Sequence, residues 1–180
     1  MQAGLHSNFD NLKNTLLKSL ESIEDNRIIL LYGSKCHPEF DEFLKDYSLI
    51  RFPQSNCIKL ILGENMEEIE QASNTFYLTP GWLLKWREIF DSGWGLDKVS
   101  IRQSFGYCDK VLFKNTNVCE ITDEQILDFF EYTGVYIEVE NVELKIFKNN
   151  IIAAIKQAIK CEQAYDGYAD DENEYCRFQK

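Results

Sequence analysis

The sequence predicts an α/β domain of three layers, in which a mostly parallel sheet of about five strands is flanked by helices. Short apolar runs alternate along the chain with longer segments of helical periodicity, as expected of βαβ units. The first apolar run is nearly continuous, which is typical of a strand buried on both faces of a parallel sheet. Connections between such strands are expected to be right-handed crossovers.

Five short apolar runs predict the strands. Gly33 ends the first run, Pro53 stops the second, and Pro80 with Gly81 follows the third, so turn residues mark the strand ends. The predicted strands cover residues 27–32, 48–52, 75–79, 110–114 and 135–139.

Apolar residues at helical spacing predict the helices. In the first helix Leu12, Leu16 and Leu20 share one face. Thr122 and Gln125 predict a capping box at the start of a later helix. The predicted helices cover residues 9–23, 39–47, 57–62, 66–72, 82–90, 122–132 and 144–161, and 91–106 is expected to be a loop in which 96–103 is an alternative helix.

Length and charge limit the classes of protein. A chain of 180 residues predicts one domain, over 1–161, followed by an acidic C-terminal tail over 162–180. The formal net charge of −11 disfavours nucleic-acid binding, because an acidic surface repels phosphates. The tail is interpreted either as a solvated segment or as an acidic clamp for a basic partner.

The chain carries no sign of a membrane or secretory protein. No apolar run is long enough to span a bilayer, and the N-terminus lacks the pattern of a signal peptide. A cytoplasmic protein is therefore expected. In that compartment its six cysteines are expected to be reduced thiols or metal ligands rather than a disulfide framework.

Two cysteines follow the first two predicted strands. If these strands are neighbours, Cys36 and Cys57 lie at the carboxyl edge of the sheet, where open α/β folds bind ligands. Thiolates suit zinc and other soft metals, with His37, next to Cys36, and then His6 as further candidate ligands. The alternative is that both cysteines only pack. Cys57 begins a predicted helix, whose N-terminus is expected to lower its pKa.

The remaining cysteines and the third exit loop are secondary candidates. Cys119 follows the fourth strand and is expected near the same edge, whereas Cys108, Cys161 and Cys176 are interpreted as structural. In the third exit loop Thr79 offers a hydroxyl, Gly81 allows close backbone approach, and Trp82 is either a wall for a flat ligand or a packing residue. Phosphate-loop, dinucleotide, nucleophile-elbow and zinc-protease motifs are absent from the sequence.

At these residues the chain resembles a known family, the domain of unknown function family 1638 (DUF1638), found in methanogenic archaea and some anaerobic bacteria. The resemblance runs from about Leu5 to about Ala158. Its motifs are Leu5-His6, Leu31-Tyr32-Gly33 with Cys36, Asn56-Cys57-Ile58 and Tyr77-Leu78-Thr79-Pro80-Gly81-Trp82. The family usually begins with an additional strand, so this chain is expected to be a shortened member.

The resemblance implies one site and a biological setting. It groups His6, Cys36 and Cys57 as metal ligands, surrounded by ligand-binding residues: Tyr32, Gly33, Thr79, Gly81 and Trp82. Similar proteins occur where corrinoid-dependent methyl transfer is common, which implies a corrinoid protein or methyltransferase as partner.

The preferred hypothesis is a metal-binding protein, accessory to corrinoid-dependent methyl transfer, with zinc as the first choice of cofactor and a corrinoid as the second. Two alternatives stay open. One is a metal-free interaction module for a methyltransferase or corrinoid protein, and the other is a thiol-dependent enzyme that uses Cys57.

Overall fold

The computed structural model describes residues 5, 8–24, 27–63 and 74–166, without the side chains of 92 and 161–166. The chain divides into two compact units. The thiol unit comprises residues 13–63 and 145–180, and the aromatic unit comprises residues 1–12 and 64–144. Helix α1 (Phe9–Glu21) crosses the boundary between the two units in sequence. The single domain over 1–161 stays a prediction.

The thiol unit contains two parallel strands. β1 (Ile28–Leu30) pairs with β2 (Leu49–Arg51), with Ile28 opposite Leu49. The short helix α2 (Phe40–Phe43) lies between the two strands in sequence. Helix α3 (Cys57–Leu62) directly follows the exit loop of β2, so its first turn is positioned by the end of that strand.

A long C-terminal helix supports this unit. Helix α7 (Lys145–Asp166) packs against β1, β2 and α3. Phe52, Leu60 and Ala154 are buried together, and Asn150 Nδ2 donates a hydrogen bond to the Leu60 carbonyl oxygen at 3.1 Å. Burial of such side chains is the main force that holds a helix onto a sheet.

The aromatic unit has a sheet of three parallel strands in the order β3-β4-β5. Its strands are β3 (Thr75–Leu78), β4 (Lys110–Asn115) and β5 (Ile137–Asn141). Its helices are α4 (Pro80–Glu88), α5 (Lys98–Phe105) and α6 (Asp123–Thr133), and a π-helical turn over Ile89–Trp94 continues α4.

Interlocked rings form the core of the aromatic unit. Phe90 is fully buried and its ring lies 5.7 Å from Trp86 and 6.0 Å from Phe105, centroid to centroid. Val111 and Phe113 of the central strand β4 are buried in the same cluster. Since these two residues alternate along β4, one face of the strand faces this core.

The α/β class with parallel strands flanked by helices is confirmed, but a single sheet of about five strands is wrong. All five predicted strands exist among the described residues, in one sheet of two strands and one of three. Apolar runs identify strands, whereas pairing depends on tertiary contacts that the runs do not encode.

Two predictions on loops and helices need correction. The expected helix over 39–47 is only the short α2. The expected loop over 91–106 contains the π-helical turn and α5. Gly95, at φ 64°, follows the turn, and Asp97 accepts from Ser100 N at 2.8 Å to cap α5. The predicted helix over 66–72 lies outside the described residues.

Side-chain caps and a glycine fix several helix ends. Asn8 caps α1 by accepting from Asn11 N at 3.0 Å. Thr122 and Gln125 form the predicted capping box, and Gly134 ends α6 at φ 79°. Helix α7 runs to Asp166, past the predicted end at 161. Among the described residues, each helix is too short or too polar to cross a bilayer.

Candidate thiol site

The exit loops of β1 and β2 are joined by backbone hydrogen bonds. Ser34 N donates to the Gln54 carbonyl oxygen at 2.8 Å, and Lys35 N donates to the Ser55 carbonyl oxygen at 3.0 Å. A side chain at Gly33 would overlap the backbone of Ser55 and Asn56. The close approach of the two loops therefore depends on glycine at this position.

Each joined loop carries one of the two cysteines. Cys36 N donates to the Gly33 carbonyl oxygen at 3.0 Å, which closes a tight turn and leaves the residue half-buried. Cys57 is exposed and is the first residue of α3, after Asn56, whose side chain caps the helix by accepting from Lys59 N at 2.9 Å. The parallel pairing and the joined loops thus place both thiols at one rim, which we call the thiol rim (residues 33–36 and 53–57).

The two thiols interact electrostatically. Burial raises the pKa of Cys36, and a hydrogen bond with the Gly33 backbone opposes that rise. Although the Cys57 residue is exposed, protein atoms surround its sulfur, and this desolvation raises the pKa of Cys57. The charge of Cys36 raises the pKa further, while backbone N–H groups of Cys57 and Ile58 lower it. The expected net lowering at Cys57 is therefore wrong. The desolvation of the Cys57 sulfur and the charge of Cys36 together raise the pKa by more than the helix N-terminus lowers it.

Aromatic side chains flank the thiol rim. Burial raises the pKa of Tyr32, and the charge of Cys36 raises it further. The Tyr32 ring meets the Phe40 ring edge-on, at 6.2 Å between centroids. Tyr32 is thus a predicted ligand-binding residue that interacts electrostatically with one of the two thiols.

His37 has a structural role in this region. It is 3% exposed, its Nδ1 accepts a hydrogen bond from Glu39 N at 2.9 Å, and its ring packs edge-on against Phe43 at 5.0 Å. One ring nitrogen is thus committed to the turn before α2, and the neighbouring rings fix the imidazole plane. His6, the predicted third ligand, lies outside the described residues.

The third exit loop belongs to the aromatic unit. Thr79 is the N-cap of α4 and Gly81 has open space around its Cα. Trp82 packs on Phe76 at 5.7 Å and on Trp94 at 5.5 Å, centroid to centroid. These contacts show Trp82 as part of the aromatic core, and its role as a ligand wall stays a prediction.

The other cysteines are dispersed. Cys108 is half-buried between α5 and β4, and Cys119 is exposed after β4. Burial raises the pKa of Cys108, and the charge of Asp109 adds to this. The side chain of Cys161 and the whole of Cys176 lie outside the described residues.

Sequence reasoning missed a polar cluster at the carboxyl end of β4 and β5. Lys114 is 7% exposed and its Nζ lies 2.8 Å from Glu140 Oε2, directly across the strand pair. One residue on, Asn115 Nδ2 donates to Asn141 Oδ1 at 3.1 Å. The sequence shows a lysine and a glutamate near the ends of two successive predicted strands, but pairing them requires the strand register, which the sequence does not give.

The thiol rim supplies part of a metal site. In the portion of the chain that is described, no group of three or more histidine, cysteine, aspartate or glutamate side chains is arranged to hold a metal ion. Cys36 and Cys57 could provide two thiolates, and zinc takes four ligands. The thiol rim offers the chemistry of a dithiol. Two thiolates can hold a soft ion whose other coordination positions are filled by small ligands.

Comparison with known proteins gives one match. Neither the curated proteins nor the solved structures contain a match to this chain. Residues 1–151 match the family described as "Protein of unknown function (DUF1638)", and the chain belongs to that family.

Proposed function

We propose that this protein binds a soft metal ion, zinc by preference, through the thiolates of Cys36 and Cys57. The observation that supports the proposal is the pair of hydrogen bonds that joins the two loops, Ser34 N to Gln54 O and Lys35 N to Ser55 O. These bonds position the thiols before any ion arrives, which reduces the entropic cost of binding. Thiolates select soft ions over magnesium or calcium.

The direction of the pKa shifts predicts how binding depends on pH. Since the pKa values of Cys36 and Cys57 are raised, both groups are largely protonated at neutral pH, and an ion must displace their protons. Affinity therefore rises with pH. The same shifts weigh against the thiol-enzyme alternative, because an activated nucleophile has a lowered pKa.

Metal titration tests the proposal. Untagged protein is titrated with Zn²⁺ against a chromophoric chelator, and Cu⁺ is titrated in parallel under anaerobic conditions. The wild type is expected to bind about one equivalent, since a thiolate pair defines one site. The Cys36→Ser/Cys57→Ser variant is expected to lose this binding.

A matched control uses the chain's other described cysteines. Cys108→Ser/Cys119→Ser removes the same number of thiols but leaves the thiol rim intact, so it is expected to bind like the wild type. Equal binding by the wild type and by Cys36→Ser/Cys57→Ser would refute the proposal.

The open coordination positions suggest what the bound ion does. A zinc ion held by two thiolates has positions left for an external thiol, and zinc-bound thiolates are nucleophilic. Such a site would suit an accessory role in corrinoid-dependent methyl transfer, because an ion held by Cys36 and Cys57 would supply an activated external thiolate as the methyl acceptor. Zinc-loaded protein, methylcobalamin and a simple thiol are mixed anaerobically, and the expected result is faster appearance of the cob(I)alamin spectrum than with Cys36→Ser/Cys57→Ser.

A further inference from the structure

The outward side of α7 carries a stripe of exposed isoleucines. Ile152, Ile155 and Ile159 are 39%, 44% and 48% exposed. They follow each other at intervals of three and four residues, so they line up along one side of the helix. A neighbouring side of the helix packs against the rest of the unit and holds Phe147, Ile151 and Ala154. We call the three exposed residues the isoleucine stripe.

Lysines lie at the start of the isoleucine stripe and along one side of it. Lys148 precedes the stripe by about one turn, and Lys156 and Lys160 are interleaved with its second half; all three are exposed. From Lys145 to Lys160 the helix contains no acidic residue. The ion pairs of the described residues leave these lysines out. An apolar strip bordered by lysines fits a segment that combines apolar and acidic side chains.

The chain itself contains such a segment next to the helix. Residues 167–180 carry three aromatic residues, Tyr168, Tyr175 and Phe178, and four acidic residues, Asp170, Asp171, Glu172 and Glu174. The segment starts with Gly167, directly after Asp166, the last described residue of α7. Glycine after a helix permits the left-handed conformation that reverses the chain.

The segment is long enough to reach the stripe. From Asp166 back to Ile152 the helix measures about 21 Å at 1.5 Å per residue. Residues 167–180 span up to about 45 Å when extended. Covalent attachment also gives the segment a local concentration far above that of a separate protein. The acidic charge of the whole chain, −11, would repel a separate acidic partner but does not prevent contact with a tethered one.

We propose that residues 167–180 dock back onto α7, with their aromatic side chains on the isoleucine stripe and their carboxylates against Lys148, Lys156 and Lys160. The interaction surface is independent of the thiol rim, since neither Cys36 nor Cys57 takes part in it. Its occupant is this chain's own acidic segment, and a second copy of the chain is the competing occupant that the experiment distinguishes.

Zero-length cross-linking of the full chain tests the proposal. A carbodiimide joins a lysine amine to a carboxylate that it touches, with loss of water. At low protein concentration the monomer is isolated, digested and mapped by mass spectrometry. Amides are expected between Lys148, Lys156 or Lys160 and the carboxylates of 170–174. They are expected to be lost in Ile155→Asp and to persist in the control Val99→Asp, which places the same charge at an exposed valine of α5.

Proteolysis gives a second readout that does not depend on lysine chemistry. Chymotrypsin cleaves after Tyr175 and Phe178, and its rate follows the fraction of time that the segment is undocked. In Ile155→Asp and in Lys156→Glu/Lys160→Glu, cleavage is expected to be about tenfold faster than in the wild type. Circular dichroism establishes that each variant is folded, and having two variants protects the test against the failure of one.

Three outcomes would overturn the proposal. The first is the absence of these amides in the wild-type monomer. The second is their presence only between isotopically distinct chains in a mixed sample, which would make a second copy the occupant. The third is equal cleavage of the wild type and both folded variants.

Discussion

The carboxyl ends of the two parallel sheets are chemically different. In the aromatic unit, β4 and β5 end in pairs that satisfy each other, Lys114 with Glu140 and Asn115 with Asn141. In the thiol unit, β1 and β2 end in loops that bring together Cys36 and Cys57, whose pKa values are raised by burial and, at Cys57, by the other thiol. Equivalent positions in parallel sheets therefore hold polar pairs in one unit and two neighbouring thiols in the other.

The backbone explains why the thiol rim can exist. Cys36 and Cys57 are separated by a helix and a strand in sequence, and they meet because the two exit loops share hydrogen bonds. The aromatic unit instead uses register, since Lys114 and Glu140 are direct partners across two strands. The comparison predicts that the thiol rim is sensitive to loop geometry, whereas the polar pairs of the aromatic unit are sensitive to charge.

Gly33→Ala should have the largest effect. The added Cβ would overlap the backbone of Ser55 and Asn56, so the loops must separate, at a cost of about 2–3 kcal/mol in the free energy of unfolding. Zinc binding is expected to fall as well, because the loops position both thiols. Chemical denaturation and the chelator titration measure the two effects.

Gly81→Ala is the matched control, because a Cβ at Gly81 meets open space and this glycine lies in the first turn of α4. It is expected to leave stability unchanged or to raise it by about 0.5 kcal/mol, since alanine is the better helix former. Equal destabilisation by the two substitutions would show that the close contact of the two exit loops at Gly33 does not contribute to stability.

The second effect concerns charge in the aromatic unit. Glu140→Gln removes the partner of Lys114, whose side chain is only 9% exposed. An unpaired buried ammonium is costly, but Glu140 is itself 52% exposed, so we expect a loss of about 1–2 kcal/mol, less than for a fully buried pair. Lys114→Met removes the charge together with its need for a partner and is expected to be nearly neutral.

Glu138→Gln provides the comparison for this prediction. Glu138 faces Lys110 at 3.7 Å, and both side chains are well exposed, at 64% and 39%. Its loss should change the free energy of unfolding by less than about 0.5 kcal/mol. If Glu140→Gln costs no more than Glu138→Gln, the burial of Lys114 has no energetic consequence.

Local sequence patterns predict individual strands and helix caps, but they do not predict which strands pair in a sheet. The apolar runs predict the strands Ile28–Leu30 and Leu49–Arg51. The capping box is predictable because Thr122 and Gln125 stand three positions apart at the start of one helix. The two sheets were not expected, because an apolar run does not name its partner strand. Helix α5 is expected only as an alternative over 96–103, because the glycines of 91–106 favour a loop, and the structure confirms that alternative as Lys98–Phe105.

For the site, chain order was informative and local electrostatics were not. The position of Cys36 and Cys57 after successive strands indicated a shared edge, and the structure joins their loops. The pKa direction at Cys57 was wrong, because the sequence shows a helix start but not the burial or the nearby Cys36 that oppose it. The Lys114–Glu140 pair was missed because it depends on strand register.

The smallest effect is the pH dependence of the thiol rim. A thiol whose pKa is higher in the folded than in the unfolded state favours the folded state at pH values below its unfolded pKa, and this contribution is lost as pH rises through the folded pKa. Since the pKa values of Cys36 and Cys57 are both raised, stability should decline on the alkaline side, above about pH 8.5. Cys36→Ser/Cys57→Ser should show a shallower decline, measured by thermal denaturation across pH.

Alkylation reports the same shift residue by residue. Iodoacetamide reacts with the thiolate, so labelling of Cys36 and Cys57 should rise about tenfold per pH unit until each folded pKa is passed. Cys119 is exposed in the aromatic unit and serves as the internal reference within the same sample. Because Cys36 contributes to the raised pKa of Cys57, Cys36→Ser should move the labelling curve of Cys57 to lower pH. An unmoved curve would mean that the two thiols do not interact. That result would contradict the proposal that Cys36 and Cys57 bind one metal ion together.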